Sequence, residues 1–178
     1  MTRLIGISGS LRQGSFNAAL LRAAAELTPE GAELTIGTIR GIPLYDGDLE
    51  AAEGIPRPVA ALKDAIAAAD GLLLATPEYN NSIPGVLKNA IDWLSRPFGA
   101  GALKDKPLAV VGSALGQYGG VWAHDETRKS FGIAGPRVVE DLKLSVQTTA
   151  FDGKHPRENA EVAAKLRDIV GKLAAEVS

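Results

Sequence analysis

The sequence predicts an α/β chain: a parallel sheet covered by helices on both faces. Two observations carry this. Short apolar runs alternate with segments of helical spacing about five times along the chain. The third run, Leu72 to Ala75, is apolar on both faces, as a strand buried between two helix layers must be. At 178 residues, with no composition break to mark a linker, the chain reads as one domain over 1–178.

Leu4 to Ile7 forms the first strand in this reading. Ala18 to Leu27 is the first helix, with Leu20, Leu21, Ala24 and Leu27 on one face. Leu34 to Ile39 is the second strand. The stretch from Gly41 to Pro58 is a long loop. Val59, Leu62, Ile66 and Ala69 have helical spacing, and Asp70-Gly71 ends that helix. Leu72 to Ala75 is the third strand. Pro84 to Leu94 is a helix with Val86, Leu87, Ala90, Ile91 and Leu94 on one face, and Pro84 suits its first turn. Leu108 to Val111 is the fourth strand. Val121 to Phe131 is a helix of weak pattern. Arg137 to Val139 is a short fifth strand, extended by Leu144 to Val146. Val162, Leu166, Ile169, Val170 and Leu173 line a last helix.

Composition narrows the chemistry. The formal net charge is -2, which argues against nucleic acid as a partner, because phosphate neutralisation needs a basic surface. No cysteine is present, so disulfides, thiolate catalysis and cysteine metal sites are excluded. That composition suits the reducing cytoplasm. Met1 to Ser8 lacks the pattern of a signal peptide, and no apolar stretch approaches a membrane span. His124 and His155 are far apart in sequence; each is read as a surface or capping histidine, and no metal site is expected.

In open α/β sheets the ligand sits beyond the carboxyl ends of the strands. Three such ends carry unusual sequence. The first, Gly6-Ile-Ser-Gly-Ser-Leu-Arg-Gln-Gly-Ser-Phe-Asn17, holds three glycines and three serines. Glycines turn backbone amides toward a ligand, and a helix N-terminus presents free N–H groups to an anion. Ser10, Ser15 and Asn17 supply hydrogen-bond donors and Arg12 a charge, which describes a phosphate-monoester site. A plain helix cap is the alternative, but a cap needs only one such residue. Neither a Walker A lysine nor the Gly-x-Gly-x-x-Gly dinucleotide spacing is present, and Gly6-Ile-Ser-Gly-Ser10 fails as a nucleophile elbow.

The second end is Thr76-Pro-Glu-Tyr-Asn-Asn-Ser-Ile-Pro-Gly85. Its amides suit the polar edge of a planar ring, but the residues alone fit equally a turn whose Tyr79 packs on the surface. The third is Gly112-Ser-Ala-Leu-Gly-Gln-Tyr-Gly-Gly120, where four glycines in nine residues mean close backbone approach or flexibility. Together the three suit a mononucleotide such as FMN: a phosphate cradle flanked by two loops that hug a ring. A chain without cysteine or metal ligands has no redox group of its own, so a cofactor would carry any electrons.

At these residues the chain resembles the NADPH-dependent FMN reductases, a family that includes chromate, quinone and azo-dye reductases. The resemblance rests on Gly9-Ser-Leu-Arg-Gln-Gly-Ser-Phe-Asn17 and on Pro77-Glu-Tyr-Asn-Asn-Ser-Ile-Pro-Gly-Val-Leu-Lys-Asn-Ala-Ile-Asp-Trp93, continuing to Ser95-Arg-Pro97. It covers roughly Leu4 to Val146. The resemblance implies a flavodoxin-like fold, a five-stranded parallel sheet of order 2-1-3-4-5, and non-covalent FMN. It implies that Ser10, Arg12, Ser15, Phe16 and Asn17 surround the phosphate. Pro77, Glu78, Tyr79 and Asn80 would line the isoalloxazine, with Ser113 and Gly116 closing the other side. It implies NADPH or NADH as hydride donor, a small-molecule acceptor, and no side chain acting as acid or base. It further implies a homodimer or homotetramer, with the helix carrying Asp92 and Trp93 near the subunit interface; a core-facing Trp93 is the alternative. One departure stands out. Where the family carries an arginine in a basic, glutamine-rich helix, this chain reads Val121-Trp-Ala-His-Asp-Glu-Thr-Arg128. A flavodoxin-type electron carrier without its own nicotinamide site is the rival reading. Such carriers are usually far more acidic, for docking to redox partners.

Overall fold

The computed structural model describes residues 1–177. Five parallel strands, β1 (Thr2–Ser8), β2 (Ala32–Gly37), β3 (Gly71–Ala75), β4 (Pro107–Ala114) and β5 (Arg137–Gln147), lie in the order β2-β1-β3-β4-β5. The helices are α1 (Phe16–Glu26), α2 (Gly47–Glu53), α3 (Arg57–Ala68), α4 (Gly85–Leu94), α5 (Val121–Ala134) and α6 (Ala160–Ala175). This is the doubly wound sheet that the alternating pattern predicts, with the strand order that the resemblance implies.

The two-residue period of a strand sorts the core into two layers. From β3, Leu73 and Ala75 join Leu20 and Leu21 of α1 and Leu166 and Ile169 of α6. The alternate residues Leu72 and Leu74 join Leu62 and Ile66 of α3, Leu87 and Ile91 of α4, and Phe131 of α5. Every residue of β3 and β4 is buried. Each fully buried leucine contributes roughly 1.5–3 kcal/mol, so these central strands anchor the molecule.

One expectation about the elements needs correction. The stretch from Gly41 to Pro58 is not all loop, because it contains α2 and the start of α3. Asp46 caps α2 by accepting from the Asp48 N–H at 2.9 Å, yet α2 buries no residue and so leaves no apolar period in the sequence. The fifth strand does extend through Leu144 to Val146, as one element from Arg137 to Gln147. Its pairing with β4 shifts register between Leu108 and Val110, and Val139 to Leu142 fall in that irregularity. Trp93 faces the interior: it is fully buried, and its indole N–H donates to the Pro43 carbonyl at 2.8 Å.

Candidate active site

The first crevice loop leaves β1 at Ser8. The Gly9 N–H donates to the Ala75 carbonyl at 2.8 Å, carrying the sheet bonding one residue further. A Cβ on Gly9 would lie 2.5 Å from Thr76 Oγ1, so glycine is what lets the first and second loops approach. Arg40, three residues past the end of β2, donates from Nη2 to the Leu11 carbonyl at 2.6 Å and braces the loop. Ser15 is the N-cap of α1, its Oγ accepting from the N–H groups of Asn17 at 3.2 Å and Ala18 at 3.4 Å. The Ser15 hydroxyl hydrogen is left for another acceptor, and the N–H of Phe16, at the first helical position, has no intrahelical partner.

Asn17 joins this loop to the third. Its Nδ2 donates to the Ser113 carbonyl at 3.0 Å, and the Ser113 N–H donates to its Oδ1 at 2.8 Å. Asn17 thus spans the gap between α1 and β4 and is buried there. The Ser113 hydroxyl in turn lies 2.8 Å from Thr148 Oγ1, just beyond β5.

The second loop folds back on itself. Tyr79 and Ser82 exchange both backbone hydrogen bonds at 3.1 Å, and the intervening Asn80 and Asn81 take φ of 53° and 58°. Asparagine tolerates this left-handed region better than other side-chain-bearing residues. The Glu78 carboxylate accepts from the Ala123 N–H at 3.2 Å, in the first turn of α5. A carboxylate suits that position, because the helix dipole is positive there.

These loops enclose a cleft of about 440 Å³ at the carboxyl end of the sheet. Ser10, Arg12, Ser15, Phe16 and Asn17 line one part; Pro77, Glu78 and Tyr79 another; Ser113 and Gly116 a third. Asn80 stands apart, at the exposed tip of its turn and off the cleft wall. The structure adds Ala114, Leu115 and Thr148 to the lining. Thr148 opens a 3-10 turn, Thr148–Phe151, whose Phe151 stacks on Phe16 at 5.1 Å between ring centres. The sequence did carry a signal for Thr148: it follows the carboxyl end of a parallel strand, where such clefts form. The cleft offers hydroxyls, free amides and a guanidinium at one end. Its titratable lining groups are Arg12, Glu78 and Tyr79, none of them a redox centre.

His124 corrects the expectation of a surface or capping histidine. It is fully buried, with Nε2 2.8 Å from the Thr76 carbonyl and Nδ1 2.6 Å from Ser145 Oγ. Burial pushes its pKa down to about 4 against the weaker pull of the Thr76 hydrogen bond, so the ring is neutral at pH 7. His155 does cap, in a capping box with Glu158.

Comparison with known proteins gives the family of the chain. The family model described as NADPH-dependent FMN reductase matches residues 2–150. An NAD(P)H-dependent FMN reductase of Pseudomonas aeruginosa is 43% identical over 154 residues, covering 85% of this chain and 82% of the relative. A quinone reductase of Escherichia coli K12 is 44% identical over 119 residues, covering 66% of this chain and 63% of the relative. Among solved structures, a flavoenzyme NAD(P)H:acceptor oxidoreductase of Paracoccus denitrificans superimposes with a TM-score of 0.86 at 31% identity, covering 99% of this chain and 97% of that one. The chain is therefore an oxidoreductase and belongs to the NADPH-dependent FMN reductase family, flavoproteins that use FMN with a nicotinamide co-substrate.

Proposed function

We propose that the cleft holds FMN with its phosphate against the first loop, and that the enzyme passes electrons from NADPH or NADH to a small acceptor. The acceptor class is a quinone, free flavin, azo compound or metal oxyanion such as chromate. The observation that carries this reading is the convergence of the sequence-named residues, all but Asn80, on one cleft wall. The donor set fits the group. A phosphate dianion needs several donors and a positive charge; Ser10 and Ser15 hydroxyls, the Phe16 amide and Arg12 supply them. The apolar walls contributed by Pro77, Tyr79 and Leu115 suit a planar ring.

When bound, FMN supplies the hydride acceptor that no side chain here offers, so donor and acceptor are served in turn at one site in a ping-pong sequence. The chain's own residues bind and orient. Asn17 fixes the separation of the first and third loops. Glu78, held by the α5 amide, sets the second. No lining side chain is required to move a proton, and electron transfer depends on positioning alone.

The groove between α4 and α5, about 470 Å³ and lined by Lys88, Ile91, Asp92, Glu126, Lys129 and Ile133, favours a homodimer or homotetramer. It combines exposed Ile133 with charges of both signs, which allows the face to meet a second copy of itself. Light scattering checks this: the parent should run as an oligomer, and Ile133→Glu should shift it toward monomer.

Flavin analysis tests the cofactor. The purified protein should be yellow and release FMN on denaturation. FAD as the dominant flavin would contradict the reading, because one phosphate cradle leaves no place for an adenylate.

A further inference from the structure

We propose that His124 is a positioning residue for the cofactor site: its ring ties the carboxyl ends of β3 and β5 together and so sets the spacing of the second and third crevice loops. The inference rests on the functional reading above. It goes beyond that reading because His124 neither lines the cleft nor belongs to the loops that name the family.

The hydrogen bonding admits one arrangement of a neutral ring. The Thr76 carbonyl only accepts, so Nε2 carries the hydrogen and donates across 2.8 Å. Nδ1 is then an acceptor, and the Ser145 hydroxyl donates to it across 2.6 Å. Thr76 immediately precedes Pro77, and its own N–H is bonded to the Val111 carbonyl at 3.1 Å. Without His124, the Thr76 carbonyl would be a buried acceptor left unpaired at the root of the second loop.

The packing around this bond is equally specific. A Cβ on Gly112 would lie 2.3 Å from His124 Nε2 and 2.2 Å from the Thr76 carbonyl oxygen, so the histidine bond occupies the space a side chain at position 112 would take. Gly112 immediately precedes Ser113, the residue clamped by Asn17. Gly120, the N-cap of α5 with φ of 94°, brings the ring in from the other side, with its own Cβ position 3.1 Å from the imidazole. One residue before His124, the Ala123 N–H holds Glu78. The first turn of α5 therefore grips the second loop at two points, Thr76 and Glu78, on either side of Pro77. The burial that keeps the ring neutral preserves this donor and acceptor pattern.

The test compares FMN binding by the apoprotein of the parent and of His124→Leu, His124→Gln and Ser145→Ala, read by quenching of flavin fluorescence. Visible circular dichroism of the saturated flavin reports its surroundings independently of turnover. His124→Leu fills the space but removes the donor. It should weaken FMN by about tenfold or more, as loss of a buried hydrogen bond does, and change the dichroism. His124→Gln restores an N–H toward the Thr76 carbonyl and should stay within about threefold of the parent, with the parent's dichroism. Ser145→Ala keeps the core intact and removes only the Nδ1 partner; it should fall between the two, and it decides the matter if the leucine variant does not fold. The inference is overturned if His124→Leu or, failing that, Ser145→Ala binds FMN as the parent does with unchanged dichroism, or if His124→Gln loses as much as His124→Leu. Failure of the parent itself to bind FMN would overturn the functional reading, and is recognised separately because it appears without any mutation.

Discussion

Ser15 caps α1 through its oxygen, and in the proposed site its hydrogen goes to the phosphate, so Ser15→Ala should remove two interactions at once. Arg12 is exposed, and its guanidinium makes long contacts to the neighbouring carbonyls of Gln13 and Gly14, at 3.4 and 3.3 Å. Hydrogen bonds to a charged phosphate contribute about 1.5–3 kcal/mol each, so both alanine variants should weaken FMN roughly 10- to 100-fold in a titration. They should differ in the apoprotein. Ser15→Ala loses a cap and about 1 kcal/mol of stability, whereas Arg12→Ala should melt like the parent. His124 gives a separate signature in acid. Its pKa in the folded chain is about 4, mainly because burial disfavours the charged ring; nearby Arg128 lowers it further and Asp125 opposes. The unfolded chain binds the proton near pH 6.5. Stability from this residue is therefore complete above about pH 6.5 and is lost as pH falls toward 4, by about 3 kcal/mol in all. Denaturant titrations across that range should show the fall, and His124→Gln should flatten it.

At the level of elements, legibility in the sequence followed burial. β3, α4 and α6 were plain because each turns an unbroken apolar face to the core. α2 was missed because it buries nothing, and only Asp46 marks it. Asp46→Ala should accordingly cost no more than about 1 kcal/mol in a denaturant titration, the loss of one exposed cap. α5 looked weak because its buried side includes His124, Thr127 and Arg128. Those residues read as polar, yet they are buried and paired: Arg128 donates to the Val110 carbonyl at 3.2 Å and to Asp125 Oδ1 at 2.6 Å. The same cause hid the role of His124, since its partners Thr76 and Ser145 lie 48 and 21 residues away. The crevice loops were legible for the opposite reason. Their runs of glycine and serine break the apolar pattern at the strand ends, although several of those glycines serve packing as well: Gly9 makes room for Thr76 and Gly112 for His124. Asn80 differs in place from the others: it sits at the tip of its turn, in the left-handed region and off the cleft wall.

Across the whole molecule, two apolar layers grip one sheet, and the residues that depart from that scheme gather at the sheet's carboxyl end. The rigid part is the buried β3–β4 pair; the proposed site lies on the loops beyond its carboxyl end. Asn17, Glu78 and His124 each cross between loops or elements, so the cleft is braced from several directions before any ligand enters. Such bracing suits a site whose work is to place a ring against a nicotinamide and then against an acceptor. A carrier would need the same braced cleft but no place for the nicotinamide, so reduction by the nicotinamide is what separates the two readings. The most direct measurement is anaerobic stopped-flow mixing of the FMN-loaded protein with NADPH or NADH, followed by a quinone. The visible flavin absorbance should bleach on the first mixing without any second protein, and return on the second. Full FMN occupancy with no bleaching by either nicotinamide would contradict the account and leave an electron carrier in its place.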